Sequence, residues 1–309
     1  MLHPNYPTAA AVDDWCRTIL DASAQLALSV QSVEESPFYR FPLHVRHQDN
    51  ARFLAFTCSN GDTFYGYWQP SQRAAPAPLL IHLPGYGAEM SAHPQLVAQG
   101  YHVLHINPLG YTTPEGFNEV LRGTGAWPVL PDTITTHGAR GYRQWLTQAL
   151  AAVQWACAQP AVQAERLGVF GTSQGGGGAL LLGSLLAGHG VKAVAADLPF
   201  LTNFPLVYTM SNHGAYEIAF TALDGLAPEQ RPDAWRALGY IDTLSHAHRL
   251  TMPVMLTAGA IDETTPKNSI LSLFDRLPAT RGFTEFAGQA HAYTVPFLSL
   301  ATAWFHLYV

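Results

Sequence analysis

Apolar residues recur at helical spacing from Val12 through Trp15, Cys16, Ile19 and Leu20, which predicts an amphipathic helix lying on the body of the protein. Past residue 40 the pattern shortens to two β-rich runs, Arg52–Cys58 and Thr63–Trp68. Asn60-Gly61 between them is a dipeptide suited to a tight hairpin turn. Gln69–Pro78 (QPSQRAAPAP) then predicts a surface connector. From Leu79 onward the rhythm becomes strand, loop, helix. Leu79–Leu83, His102–Asn107, Leu167–Phe170, Val191–Ala196, Val254–Ala258 and Gly282–Phe286 are continuous apolar runs of strand length. The clearest helix among them is Arg140–Cys157, with Tyr142, Trp145, Leu146, Ala149, Val153 and Ala156 on one face. Apolar strands alternating with helices imply an α/β fold, a mostly parallel sheet covered on both faces. Segments 111–138 and 200–250 interrupt the alternation and are expected to be excursions that shape a pocket or an interface. With no internal repeat, the simplest organisation is one domain over 1–309, with a helix and hairpin extension at 1–75 and a cap-like insertion near 200–250.

The sharpest chemistry lies where an apolar strand, Leu167-Gly-Val-Phe, runs into Gly171-Thr-Ser173-Gln-Gly175 and on into a helix-forming run. In G-x-S-x-G the serine occupies a strained strand-to-helix turn that projects its hydroxyl from the C-terminal edge of the sheet. Side chains at Gly171 and Gly175 would collide with that turn, and Gly176–Gly178 let the helix approach the sheet. The N–H of Gln174, at the helix start, points toward an oxygen that becomes negative during acyl transfer. A phosphate-binding role for these glycines is disfavoured, because neither a G-K-[ST] ending nor a G-x-G-x-x-G opening accompanies them.

A serine hydroxyl needs an imidazole to take its proton, and an acid to orient that imidazole. In this fold they follow the serine as acid and then histidine, on loops after later strands. Asp262 follows the strand Val254–Ala258, and His291 follows Gly282–Phe286. Glu263 and Asp197 compete with Asp262 for the acid role. Of the 14 histidines, His82, His102 and His105 lie on strands and are expected to be buried and hydrogen-bonded. His246 and His248 lie in a polar segment and are expected at the surface or at a helix cap. The second oxyanion donor is expected in the loop Pro84-Gly85-Tyr86-Gly87, where Gly85 lets the backbone come close and the Tyr86 N–H partners that of Gln174.

Composition narrows the partners. Charged residues make up only 12% of the chain, about half the average, and hydrophobic ones 48%. Such a chain buries much of itself or assembles with its own copies. The net charge of −6 and the absence of any Lys/Arg block argue against a nucleic acid or an anionic membrane surface as partner. Cys16, Cys58 and Cys157 are odd in number and lack metal-ligand spacing, which reads as reduced thiols in a cytoplasmic protein. No metal or organic cofactor is expected. Asp13, Asp14 and Arg17 interrupt the only candidate leader, so no signal peptide is expected, and no apolar run reaches the length of a bilayer span.

With these residues in view, the chain resembles the acetyl xylan esterase and cephalosporin-C deacetylase family, carbohydrate esterase family seven. The resemblance is strongest from about Arg166 to His291. It includes Gly171-Thr-Ser173-Gln-Gly-Gly, the stretch from Val191 through Asp197-Leu-Pro-Phe-Leu201, and Leu238-Gly-Tyr-Ile-Asp-Thr-Leu-Ser-His-Ala-His-Arg249. By this resemblance the family's nucleophile, acid and base correspond to Ser173, Asp262 and His291, and its oxyanion tyrosine to Tyr86. It also implies a cytoplasmic α/β-hydrolase that forms hexameric rings. Three departures bear on substrate choice. Leu109-Gly110-Tyr111-Thr112 replaces the family's Arg-Gly-Gln-Gly, Pro84 replaces its second histidine before Gly-Tyr, and Ala290-His291-Ala292 replaces its Gly-His-Glu. The expected activity is release of acetyl or other short acyl groups from small, sugar-like alcohols through an acyl-enzyme. Two alternatives remain open: a serine peptidase of the same fold, and a hydrolase-like protein that binds without turnover.

Overall fold

Along each central strand, successive side chains leave opposite faces of the sheet, and the sequence supplies apolar groups to both. On β4 (Ala77–Leu83), Leu79, Ile81 and Leu83 join one core while Leu80 joins the other. On β9 (Val191–Asp197), Val194 and Ala196 face the first core, and Ala193 and Ala195 the second. The computed structural model describes residues 3–33, 51–73, 76–85, 93–107, 112–113, 116–117, 140–292 and 294–309.

Among these residues, nine strands form one mixed sheet in the order β1-β2-β3-β5-β4-β8-β9-β10-β11. β1 (Leu28–Ser32), β2 (Arg52–Cys58) and β3 (Thr63–Gln69) pair antiparallel, and β3 joins β5 (His102–Asn107) antiparallel. From β5 through β4, β8 (Val162–Thr172), β9, β10 (Val254–Gly259) and β11 (Arg281–Phe286) every pairing is parallel. The N-terminal hairpin is therefore an extension of the main sheet. A separate two-stranded ribbon, β6 (Thr112–Thr113) with β7 (Gly116–Phe117), is the described part of the 111–138 excursion.

One face is covered by α1 (Ala9–Gln25), α3 (Arg140–Cys157), α4 (Gln174–Leu185) and α8 (Lys267–Phe274), the other by α2 (Pro94–Ala98) and α9 (Val295–Tyr308). Thr8 caps α1 by accepting the Ala11 N–H at 3.2 Å. Every residue of α4 is buried. It is therefore a central helix, apolar all round, and its leucines 180, 181, 182 and 185 each contribute about 2 kcal/mol of burial.

The 200–250 excursion is helical: α5 (Phe204–Tyr208), a 3-10 turn Gly214–Tyr216, α6 (Glu217–Asp224), α7 (Arg231–Ile241) and a second 3-10 stretch Thr243–Arg249. Phe200, Phe204, Tyr216 and Phe220 pack together as its aromatic core. Asp242 knits it together, accepting the N–H groups of Asn203, Phe204 and Leu244 and the Tyr6 hydroxyl at 2.8–3.0 Å.

Three sequence expectations need revision. The connector is shorter than Gln69–Pro78, because Gln69 is a buried residue of β3 and β4 begins at Ala77. β8 starts at Val162, five residues before its apolar run, because Ala77 and Pro78 pair with Val162 and Gln163 ahead of a register shift. His246 is fully buried and neither a surface residue nor a cap. The backbone carbonyl of Tyr240 accepts from its Nε2–H at 2.9 Å, and its Nδ1 takes the Ser184 hydroxyl at 2.8 Å, so the ring is satisfied inside the core. Burial pushes its pKa down to about 4. His248 does lie at the surface, against Asp13, and His82, His102 and His105 are buried with hydrogen-bond partners.

Candidate active site

β8 enters α4 through a single residue, Ser173, whose backbone lies at φ 59°, ψ −119°. A non-glycine residue in the left-handed region costs about 1–3 kcal/mol and persists only where its surroundings over-determine it. Here they do. The Ser173 N–H donates to the Asp197 carbonyl at 2.8 Å, while the Ser173 carbonyl accepts from Phe200 and Gly177, both at 3.0 Å. A Cβ on Gly175 would stand 2.1 Å from the Leu83 carbonyl oxygen, and one on Gly171 2.5 Å from the carbonyl of Gly175. Only glycine fits at either position.

The acid and base loops follow β10 and β11, and are laced together by Ala260 N–H to Phe286 O and Ile261 N–H to Gln289 O, both 3.0 Å. This brings His291 between the other two groups. Its Nδ1 lies 2.8 Å from Asp262 Oδ2 and its Nε2 2.9 Å from Ser173 Oγ. With Nδ1–H donating to the carboxylate, Nε2 carries the lone pair that accepts the serine proton. Ser173 is 8% exposed and the Asp262 side chain is fully enclosed, while the imidazole keeps 24% exposure. Solvent and substrate therefore reach the imidazole and the hydroxyl, and the carboxylate stays dry.

Asp262 is held by more than the histidine. Its Oδ1 accepts the N–H groups of Thr264 and Thr265 at 2.8 and 2.9 Å, and Oδ2 accepts the Thr265 hydroxyl at 2.9 Å. Burial pushes this carboxyl up, yet hydrogen bonds from His291 and Thr265 outweigh it and hold the pKa below the ordinary carboxylate value. Thr265 was not apparent as a site residue from sequence. The signal was the spacing Asp262-Glu-Thr-Thr265, an Asx-type turn in which a carboxylate caps the N–H groups two and three residues on. Glu263 is exposed and accepts from Asn212 at 3.1 Å, and the carboxylate on His291 is that of Asp262. Asp197 is buried beneath Ser173 and bonded to Thr172 and Thr257.

Gln174 is the first residue of α4, so its N–H has no partner within the helix and lies at the positive end of the helix dipole. Its side-chain oxygen accepts the Tyr142 hydroxyl at 3.2 Å. Gly85 is buried, two residues past the end of β4; Tyr86 and Leu109 lie outside the described residues. Among the described residues no group of three or more His, Cys, Asp or Glu side chains gathers to hold a metal ion. Nor is any described helix long and apolar enough to cross a membrane.

The arrangement can transfer a proton from a hydroxyl to an imidazole and stabilise the resulting cation. Comparison with known proteins agrees with that chemistry. The family model for acetyl xylan esterase (AXE1) matches residues 40–307. Acetyl xylan esterase 1 from Thermoanaerobacterium sp. JW/SL YS485 superimposes with a TM-score of 0.76 at 21% identity, over 97% of this chain and 94% of its own. Acetyl xylan esterase from Paenibacillus sp. R4 gives 0.79 at 18% identity, over 99% and 97%. Dipeptidyl peptidase 4 of Porphyromonas gingivalis matches less well, with a TM-score of 0.60 at 15% identity and only 35% of its own chain covered. The chain therefore belongs to the acetyl xylan esterase family, and it is a serine carboxylic-ester hydrolase of the α/β-hydrolase fold.

Proposed function

We propose that this hydrolase removes acetyl and other short acyl groups from alcohols of a sugar or similar small scaffold, with Ser173 as nucleophile, His291 as general base and Asp262 as the orienting acid. The observation that carries this reading is the continuous hydrogen-bonded chain from Ser173 Oγ through His291 to Asp262, at 2.9 and 2.8 Å, on a strained elbow. Ser173 Oγ attacks the ester carbonyl carbon as its proton passes to His291 Nε2. The Gln174 N–H, and by sequence position that of Tyr86, receive the negative charge on the carbonyl oxygen. One such donor is worth about 100- to 1,000-fold in kcat. The imidazolium then protonates the departing alcohol, leaving an acyl-Ser173. Water, deprotonated by the same imidazole, releases the carboxylic acid and restores the serine. Asp262 stays ionised throughout, because its hydrogen bonds favour the carboxylate.

Three cysteines without a disulfide partner support a cytoplasmic setting. The relatives' names point to acetylated xylan as the substrate class to test first. Rates on p-nitrophenyl acetate, butyrate and octanoate, with Ser173→Ala as the blank, test the acyl preference. A steep fall from acetate to octanoate is expected, and a maximum at octanoate would overturn the short-acyl reading. A peptidase reading is supported only by partial overlap with larger peptidases. Turnover of aminoacyl-p-nitroanilides faster than p-nitrophenyl acetate would favour it.

A further inference from the structure

A second carboxyl lies beneath the Ser173–His291–Asp262 chain, and ester hydrolysis as written above gives it no role. Asp197 ends β9, the strand between β8, which delivers Ser173, and β10, which delivers the Asp262 loop. Its side chain is fully buried. Oδ2 accepts the hydroxyl of Thr172, the residue before the nucleophile, at 2.9 Å. Oδ1 accepts the hydroxyl of Thr257, on β10, at 2.5 Å. One carboxyl thus bridges the two strands whose ends carry nucleophile and acid. Its own backbone carbonyl takes the Ser173 N–H at 2.8 Å.

The chain continuing from Asp197 is strained. Leu198, Leu201 and Asn203 all have positive φ, at 45°, 63° and 56°. Three such residues within six are held by contacts that also serve the elbow: Leu198 N–H on Thr257 Oγ1 at 3.3 Å, and Phe200 N–H on the Ser173 carbonyl at 3.0 Å. A purely structural tie at this point could be apolar. Among the described residues this carboxyl has two neutral hydroxyl donors and no ion pair, and such a group is expensive to bury.

We propose that Asp197 is a positioning residue of this hydrolase: it fixes the Ser173 elbow against the Asp262 strand through Thr172 and Thr257, and its charge supports the imidazolium that forms on His291. This rests on the role assigned above to Ser173, His291 and Asp262. The groups around Asp197 are Thr172 from β8 and Thr257 from β10, with His291 and Asp262 acting on it electrostatically. Burial pushes its carboxyl up to about 6, against the two threonine hydroxyls and His291, which pull it down. It therefore changes charge within the range where an esterase of this kind is assayed.

The test is Asp197→Asn, which keeps the shape and can keep both threonine contacts while removing the charge. With p-nitrophenyl acetate, kcat is expected to fall about 10-fold, with KM within twofold, because the loss falls on the transition state. The acid limb of the kcat/KM profile should move to lower pH, because the carboxyl whose pKa is raised to about 6 is no longer there to lose its charge as the pH falls. Thr257→Val should reproduce part of the fall in kcat and Thr257→Ser should restore it, so the inference stays testable if Asp197→Asn fails to fold. Wild-type kcat with an unmoved acid limb in Asp197→Asn, or equal rates in Thr257→Val and Thr257→Ser, would overturn the proposal. Ser173→Ala run alongside separates the two readings. If it is inactive while Asp197→Asn matches wild type, only the positioning role falls; if Ser173→Ala retains activity, the nucleophile assignment falls.

Discussion

Gly177 lies one turn into α4, where a Cβ would stand 2.2 Å from the Phe200 carbonyl oxygen and 3.2 Å from the Leu201 Cβ. Ordinary contact begins near 3.4 Å, so Gly177→Ala must drive the helix and the 198–201 stretch apart by about 1 Å. Both sides converge on one atom, the Ser173 carbonyl oxygen, which accepts the N–H groups of Gly177 and Phe200. Helix propensity alone favours alanine by about 1 kcal/mol. Overpacking against backbone costs about 3 kcal/mol at a site that cannot yield, so the net effect is about 2 kcal/mol of destabilisation. A displacement of that size at the nucleophile is expected to lower kcat about 100-fold. Gly188→Ala is the control. Its φ is positive, +80°, unlike that of Gly177, but nothing lies within 4 Å of its Cβ, so it should lose about 1 kcal/mol and no activity. Thermal unfolding and p-nitrophenyl acetate turnover of both variants read these quantities. A Gly177→Ala enzyme with wild-type kcat and unchanged melting temperature would refute the close approach of helix and strand end on which the elbow depends.

Asp262→Asn should leave the protein folded and lower kcat by about ten-thousand-fold, since the amide cannot hold His291 in the tautomer with a free Nε2; a loss under tenfold, measured with p-nitrophenyl acetate, would contradict its role. His246 is buried neutral and its pKa is pushed down to about 4, chiefly by burial. Its contribution is therefore complete above the unfolded value near 6.5 and is lost as pH falls toward 4, up to about 3 kcal/mol. Urea midpoints at pH 7 and 4.5 should differ less in His246→Gln than in wild type, and equal differences would refute the assignment. Asp197 runs the other way. Raised to about 6, mainly by burial, its native carboxyl keeps a proton the unfolded chain has lost, so stability falls as pH rises from about 4 to 6. At pH 8 Asp197→Asn should accordingly be more stable, by up to about 3 kcal/mol, despite its lower kcat; a less stable variant at that pH would show that the threonine ties outweigh the buried charge.

The central strands were legible because they are mostly apolar runs of strand length, and Arg140–Cys157 was legible because it has one apolar face, whereas the edge strand Leu28–Ser32 (LSVQS) is more than half polar and was not expected. The first five residues of β8 were not, because Val162–Arg166 are mostly polar and exposed, and only their pairing with Ala77 and Pro78 makes the first of them a strand. His246 was misjudged for a related reason. Its neighbours His248 and Arg249 are polar, but the 3-10 stretch turns it inward to Ser184 while they turn out to Asp13. Among the candidate site residues, Ser173, Asp262 and His291 lie in loops after strands, where chain order alone brought them to notice. The threonines that serve the two carboxylates carry no such signature, since hydroxyls on strands are common and only tertiary contact makes Thr172 and Thr257 partners of Asp197.

The central claim is that an acyl group passes through Ser173, and rapid acid quenching during turnover of p-nitrophenyl acetate, followed by peptide mass analysis, tests it directly. The expected result is the mass of one acetyl group on the peptide containing Ser173, absent from Ser173→Ala. Turnover that persists in Ser173→Ala, or an acetyl group found on another residue in step with turnover, would contradict the account.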